Sequence, residues 1–213
     1  MRDIDRNDQD ELMAHFLDGI HKIEPDDLAF LFATGKSELE IRTQIALHLN
    51  RIKGINQTIY REWNRHDLAV LEDGLPAIVV EGKSWLHADA VYEKKMMHGE
   101  KSIRHGLQED IRKITKTADK FPHLVPYITM LNFSIDVREL DDTSFKNADI
   151  KYENTHRHGL EKYGTLEDLA GNGRSRISEL LSNYGTVKRA PIHVGRYLGM
   201  PIEADFYLLH PND

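Results

Sequence analysis

The chain has 213 residues, no cysteine, 40% hydrophobic residues and a formal net charge of −7 at pH 7. That length gives one compact domain with a sizeable core. The lack of cysteine excludes a disulfide framework, a thiolate zinc site and a cysteine nucleophile. The opening residues lack a signal peptide's apolar core and no apolar run approaches ~18 residues, so a soluble, cytoplasmic protein is expected.

An acidic balance is unusual for a nucleic-acid partner, since phosphate contacts are carried by Lys and Arg. The charges are unevenly spread, however. Residues 1–28 hold nine acids against three bases, 94–120 hold eight Lys/Arg against four acids, and 174–196 hold five against one.

In chain order, Leu12, Phe16 and Ile20 recur at four-residue spacing and predict an amphipathic helix over 10–23. A short second helix is predicted over 26–33, closed by Gly35. Residues 1–35 thus read as a helical extension, capping the core or contacting a second copy, ahead of an α/β domain over 36–213. Residues 37–51 form the next helix, with Ser37 and Glu40 as a capping box. Glu38 falls on its inward stripe with Ile41, Ile45, Leu49 and Ile52. An acid there is also what the helix dipole favours on its own. Gly54 ends the helix, and 58–63 reads as a strand.

The next stretch carries the chemistry. Residues 68–71 and 77–80 are short apolar, β-branched runs, and Glu72-Asp73-Gly74-Leu75-Pro76 between them reverses the chain, so a hairpin is predicted. Asp67 opens its first strand, and Glu81 and Lys83 close the second. Residues two apart on a strand share a face, so Glu81 and Lys83 project together with Gly82 uncovered between them. Two carboxylates and a bare backbone carbonyl are an all-oxygen donor set suited to Mg2+, with Mn2+ as a substitute. Lys83 beside them is placed to orient a metal-bound water or to offset charge on a phosphate. An Asp before a strand is also a common turn residue.

Beyond Lys83 lies a Lys/His-rich segment over 93–101, read as a solvated face or a phosphate-contacting lid carrying Lys94, Lys95 and Lys101, with Arg104 just after it. Residues 107–121 make a helix with Leu107, Ile111, Ile114 and Ala118 inward and Lys113 outside, as a helix-surface lysine or a candidate nucleic-acid contact. Residues 127–137 alternate as a core strand. Over 165–181 helical pieces are broken by Gly171-Asn172-Gly173, which lack the Lys-Ser/Thr of a phosphate loop. His156 and His158 read as polar loop groups rather than a metal site. Residues 192–197 and 202–209 form a strand pair, with Lys188 and Arg189 at its base as candidate backbone contacts. The whole is an α/β protein with a central mixed sheet flanked by helices.

Asp67 followed by Glu81-Gly82-Lys83, behind a helix with Glu38 and a strand, resembles the PD-(D/E)XK nuclease superfamily, the restriction-endonuclease-like fold. The resemblance covers about 37–85 and extends less closely to 137, where Gln108 to Lys113 is similar to the helix after the Glu-x-Lys strand. His66 stands where proline is frequent. The resemblance implies a Mg2+-dependent endonuclease of restriction, defence or DNA-processing type, acting on DNA before RNA and leaving a 5′-phosphate. Asp67, Glu81 and Gly82 would then hold metal, with Glu38 at an outer position and Lys83 activating water. Cutting both strands implies a homodimer. The alternatives are a non-cleaving nucleic-acid or partner-binding module on the same fold, and a partner-gated nuclease subunit of a defence complex.

Overall fold

The computed structural model describes residues 4–5, 7–35, 37–92, 100–139 and 150–212, with the backbone alone for 100–102 and 139. Residues 93–99 of the predicted basic stretch over 93–101, with Lys94 and Lys95, lie outside them.

Helix α1 (Gln9–Ile20) starts at Asp8, whose carboxylate accepts from the amides of Asp10 and Glu11 at 3.0 and 2.9 Å. This satisfies two of the donors that a helix start leaves orphaned. Helix α2 (Pro25–Thr34) begins on a proline and stops at Gly35, which takes φ +75°. Helix α3 (Ser37–Ile52) opens with Ser37, and Glu40 accepts from Gln44 Nε2 at 2.9 Å.

Strands β1 (Gln57–Trp63), β2 (His66–Glu72) and β3 (Leu75–Leu86) make an antiparallel meander. Asp73 and Gly74 both have positive φ, 50° and 82°, as a two-residue turn matched to strand twist requires. The chain then passes through α4 (His87–Val91) and α5 (Glu100–Ala118) to β4 (Val125–Ile135), which lies parallel to β3. After α6 (Glu153–Tyr163) and α7 (Leu166–Ser182) come β5 (Gly185–Ile192), the two-residue β6 (Arg196–Tyr197) and β7 (Met200–Pro211). The sheet order is β1-β2-β3-β4-β7-β5, with β6 paired to β7. The expected mixed sheet flanked by helices is therefore present, with one parallel pair inside an otherwise antiparallel sheet.

Strand alternation assigns the two faces. Leu68, Val70, Ile78, Val80, Leu131 and Phe206 pack with Phe16, Ile20, Ile41, Ile45 and Leu49 of α1 and α3. Ala69, Leu71, Val79, Met130 and Tyr207 pack with Ile103, Leu107 and Ile114 of α5 and Ile177 and Leu180 of α7. Burying each Leu, Ile or Phe contributes about 1.5–3 kcal/mol before entropy is charged against it. Residues 1–35 share the first of these clusters, since Leu12, Phe16, Leu28 and Phe32 are at most 1% exposed. Among the described residues no helix is long and apolar enough to cross a membrane.

Three expectations are corrected. The glycines at 171 and 173 do not break α7, which runs uninterrupted because a Cβ at Gly173 would lie 2.6 Å from the Cβ of His87; the glycine permits close packing of α7 on α4. His156 and His158 lie on a helix rather than a loop: His156 is fully buried and His158 pairs with Glu161. The C-terminal strand partner is β5, over Gly185–Ile192 rather than 192–197, and it pairs with β7 from Gly185 opposite Pro211 to Ile192 opposite Ala204; its alternating, mostly polar residues hid it from an apolar-run reading.

Candidate functional site

The β2–β3 pairing ends at Leu68 opposite Val80, while β3 runs on beside β4 from Glu81 to Leu86. One edge of β3 is therefore without a β2 partner over these residues, and a notch opens where the strands part. The predicted site residues gather here, although Glu81 and Lys83 lie inside a long strand and do not close it.

Asp67, at the start of β2, accepts the Gly82 amide N–H on Oδ2 at 2.7 Å. Its other oxygen is ion-paired with Arg42 of α3. Glu38 lies one helical turn before Arg42, so the two share a face. A Cβ on Gly82 would stand 3.4 Å from Asp67 Oδ2, 3.5 Å from Thr129 Oγ1 and 3.9 Å from Glu38 Oε1. Two carboxylates thus face one uncovered stretch of backbone. Burial, and next the Asp67 charge, push the Glu38 carboxyl above the usual range, against the pull of Lys83 and Arg42.

Lys83 places Nζ 3.2 Å from Asp110 Oδ2 on α5. Burial alone would lower its pKa, but the Asp110 charge and hydrogen bond, with Glu38 and Glu81 behind them, raise it above the ordinary lysine value. Lys83 is therefore an ammonium at neutral pH. Burial pushes the Asp110 carboxyl up, with Lys83 opposing.

Glu81 lies apart from Asp67 and Glu38. It is 3% exposed, and its Oε1 lies 2.5 Å from His66 Nδ1 and 2.6 Å from Lys113 Nζ. His66 is fixed in turn by Thr117 Oγ1 at 2.8 Å from Nε2. Among the described residues, Asp67, Glu81 and Glu38 do not bring their oxygens within 4.8 Å of one another as a set. The expected trio is brought to one notch but split across two sides of β3.

No protein-family model, curated protein or solved structure matches this chain. A cavity of about 30 Å³ is lined by Glu38, Arg42, Asp67, Gly82, Lys83 and Thr129 over an apolar floor that includes Leu131 and Phe206. A second, of about 200 Å³, shares Glu38 and adds Ser84, Asp89, Lys151 and Tyr152. Tyr152 has φ +65°, a conformation costly for a residue with a Cβ.

Five of the predicted backbone-contacting cations lie among the described residues. Lys113 is held by Glu81 and the Arg65 carbonyl. Lys188 lies 2.8 Å from Asp10, and Arg189 lies 3.1 Å from Asp205. Arg104 is exposed on α5 and lines a small cavity with Arg176 and Glu179. Lys101 lies in α5, with its side chain outside the described set.

Sequence reasoning missed Arg42 and Asp110. Each had a signal: Arg42 follows Glu38 by four residues, and Asp110 sits with Leu107 and Ile114 on the buried stripe of α5, where an acid is out of place without a partner.

A separate polar network runs through the core. His87 Nε2 and Arg174 Nε lie 3.2 and 2.7 Å from Asp205 Oδ2, and Ser134 Oγ is 3.2 Å from His87 Nδ1. Ser134, His87 and Asp205 are each 0% exposed, and Arg174 and Arg189 link Asp205 to the surface. Burial would raise the Asp205 pKa, but the hydrogen bonds from His87 and Arg174 bring it below the usual carboxylate value.

Proposed function

We propose that this chain is a Mg2+-dependent phosphodiesterase acting on nucleic acid, DNA before RNA, with a restriction-endonuclease-like arrangement. The observation that carries the reading is the approach of Asp67 and Glu38 to the bare backbone at Gly82. The order α3, β1, β2, β3 supports it, since helix, strand and hairpin is the order the Asp67 and Glu81-Gly82-Lys83 motif carries in that superfamily, and α5 and β4 follow after the short α4.

Asp67 and Glu38 would fit a hard divalent cation: both offer oxygen, and burial and then the Asp67 charge raise the Glu38 carboxyl, a cost that a cation held by the two would offset. Glu81 in this arrangement does not join them, its Oε1 being held by Lys113 and His66. A bound Mg2+ supplies charge at the scissile phosphate and a more acidic water. Lys83, held protonated by Asp110, presents positive charge to a phosphate oxygen and positions the phosphate rather than taking a proton at neutral pH. Arg42 holds the Asp67 carboxylate towards the notch, and the Gly82 amide fixes its orientation. Thr129 anchors the Glu81 carbonyl at 3.3 Å and keeps β3 in register through the site.

A second reading is a binding module or a partner-gated subunit that does not cut on its own. It is favoured by the internal pairing of both hairpin acids, Asp67 with Arg42 and Glu81 with Lys113. The test is incubation of the purified chain with supercoiled plasmid and linear duplex in Mg2+, with EDTA, Asp67→Asn and Lys83→Ala as controls. Metal-dependent products lost in both variants support the nuclease. No cutting with any divalent ion, alongside retained DNA binding, favours the module.

A further inference from the structure

The contact between α1 and α3 carries a group of side chains that the notch does not use. His15 and Asp18, three apart, share one face of α1, and His48 of α3 faces them. The helices approach closely here: a Cβ at Gly19 would lie 2.7 Å from the Ile45 Cα, one turn from His48. The His15 and His48 rings stand 6.0 Å apart, and one ligand atom from each of His15, Asp18 and His48 falls within 4.8 Å of the others.

His48 Nε2 is buried, and among the described residues it has no hydrogen-bond partner. It points at Asp18 Oδ2 from 3.9 Å, too far for a hydrogen bond. A buried ring nitrogen left unpaired beside a carboxylate is unfavourable unless something lies between them. Ligands on one tetrahedral ion with bonds of about 2.0–2.1 Å stand ~3.4 Å apart, so small side-chain rotations close this set without moving either helix. Glu11 Oε1, 3.4 Å from His15 Nε2, orients that ring from the preceding turn and is not itself within the set.

We propose that His15, Asp18 and His48, with water completing the set, bind one divalent transition-metal ion, Zn2+ by donor type, which clamps α1 onto α3. Two imidazoles and a carboxylate suit Zn2+ rather than Mg2+, whereas the oxygen donors of the notch suit Mg2+. The two sites are separable by metal. Asp18 lies at the surface, which leaves the ion a path in.

The test uses the full chain, stripped with a chelator and desalted, then titrated with ZnCl2 by calorimetry and with Co2+ by visible absorption. Saturable 1:1 binding is expected, with tetrahedral Co2+ bands and a higher thermal midpoint in Zn2+. His15→Ala, Asp18→Asn and His48→Ala are each expected to weaken binding at least tenfold. If His48→Ala does not fold, the more exposed His15→Ala and Asp18→Asn carry the test. Asp67→Asn is the control and is expected to bind Zn2+ as the parent does. No saturable binding, unchanged affinity in the cluster variants, or an equal loss in Asp67→Asn overturns the proposal.

Discussion

Lys113 reaches from α5 to within 2.6 Å of Glu81, a strand residue that is almost completely buried. The pair neutralises an acid that α5 would otherwise enclose, and His66 completes it. Lys113→Met removes the ammonium and leaves Glu81 with only the imidazole. A loss of about 1–3 kcal/mol in urea denaturation at pH 7 is expected, from leaving a buried charged group under-satisfied. An unchanged midpoint would mean that the pair contributes nothing and that Glu81 is free to turn towards Asp67.

Lys113 also shows where the sequence stops being informative. Hydrophobic period and turn residues made α1, α3, α5, the hairpin and β4 legible, because each follows from which positions must be buried. The notch was legible as a location, from Asp67 and Glu81-Gly82-Lys83. Which acid meets which cation was not, because a helix-surface lysine and one that folds back onto the sheet have the same spacing. The continuity of α7 was hidden for a different reason. Gly171 and Gly173 read as breakers until the close approach of His87 is known, and that contact is set by the tertiary fold alone.

Glu38 makes the proposed site testable through stability. Its folded pKa lies above its ordinary value, through burial and then Asp67. Between the unfolded and folded values the native state holds a proton that the unfolded chain has released, so stability falls as pH rises through that window. Glu38→Gln removes this cost. The variant is expected to exceed the parent by roughly 0.5–2 kcal/mol at pH 7, with the advantage vanishing below about pH 4, where the unfolded glutamate is itself protonated. Thermal denaturation across pH checks this. A variant less stable than the parent at pH 7 would show that Glu38 is a structural ion-pair partner of Arg42 or Lys83.

Asp205 has the opposite sign. Its pKa is depressed because His87 and Arg174 outweigh the burial penalty, so it contributes stability above the unfolded value near ~3.9 that is lost as pH falls through the folded one. Asp205→Asn is expected to cost about 3 kcal/mol at pH 7, as breaking a buried ion pair does, and to flatten the acid limb of the stability curve. The measurement is urea denaturation at neutral and acid pH. An acid limb as steep as the parent's would assign acid sensitivity to another group. Cutting by the folded fraction should not change, since this network lies outside the notch.

Gly82 separates function from stability most cleanly. A methyl group there meets Asp67 Oδ2 at 3.4 Å and Glu38 Oε1 at 3.9 Å, ordinary van der Waals distances, and the backbone is not in the left-handed region. The fold can therefore take alanine at little strain, and a glycine inside a strand is less favourable than alanine by roughly 0.5–1 kcal/mol. Gly82→Ala is expected to be as stable as the parent or slightly more so. The methyl group nevertheless fills the space onto which both carboxylates face. If that space receives a cation, Mg2+-dependent cutting falls by at least tenfold while the denaturation midpoint holds or rises, a split that a purely structural glycine does not produce. Cutting at the parental rate by Gly82→Ala would move the metal out of this cradle, leaving Glu81 and the α5 side of β3 as the place to look.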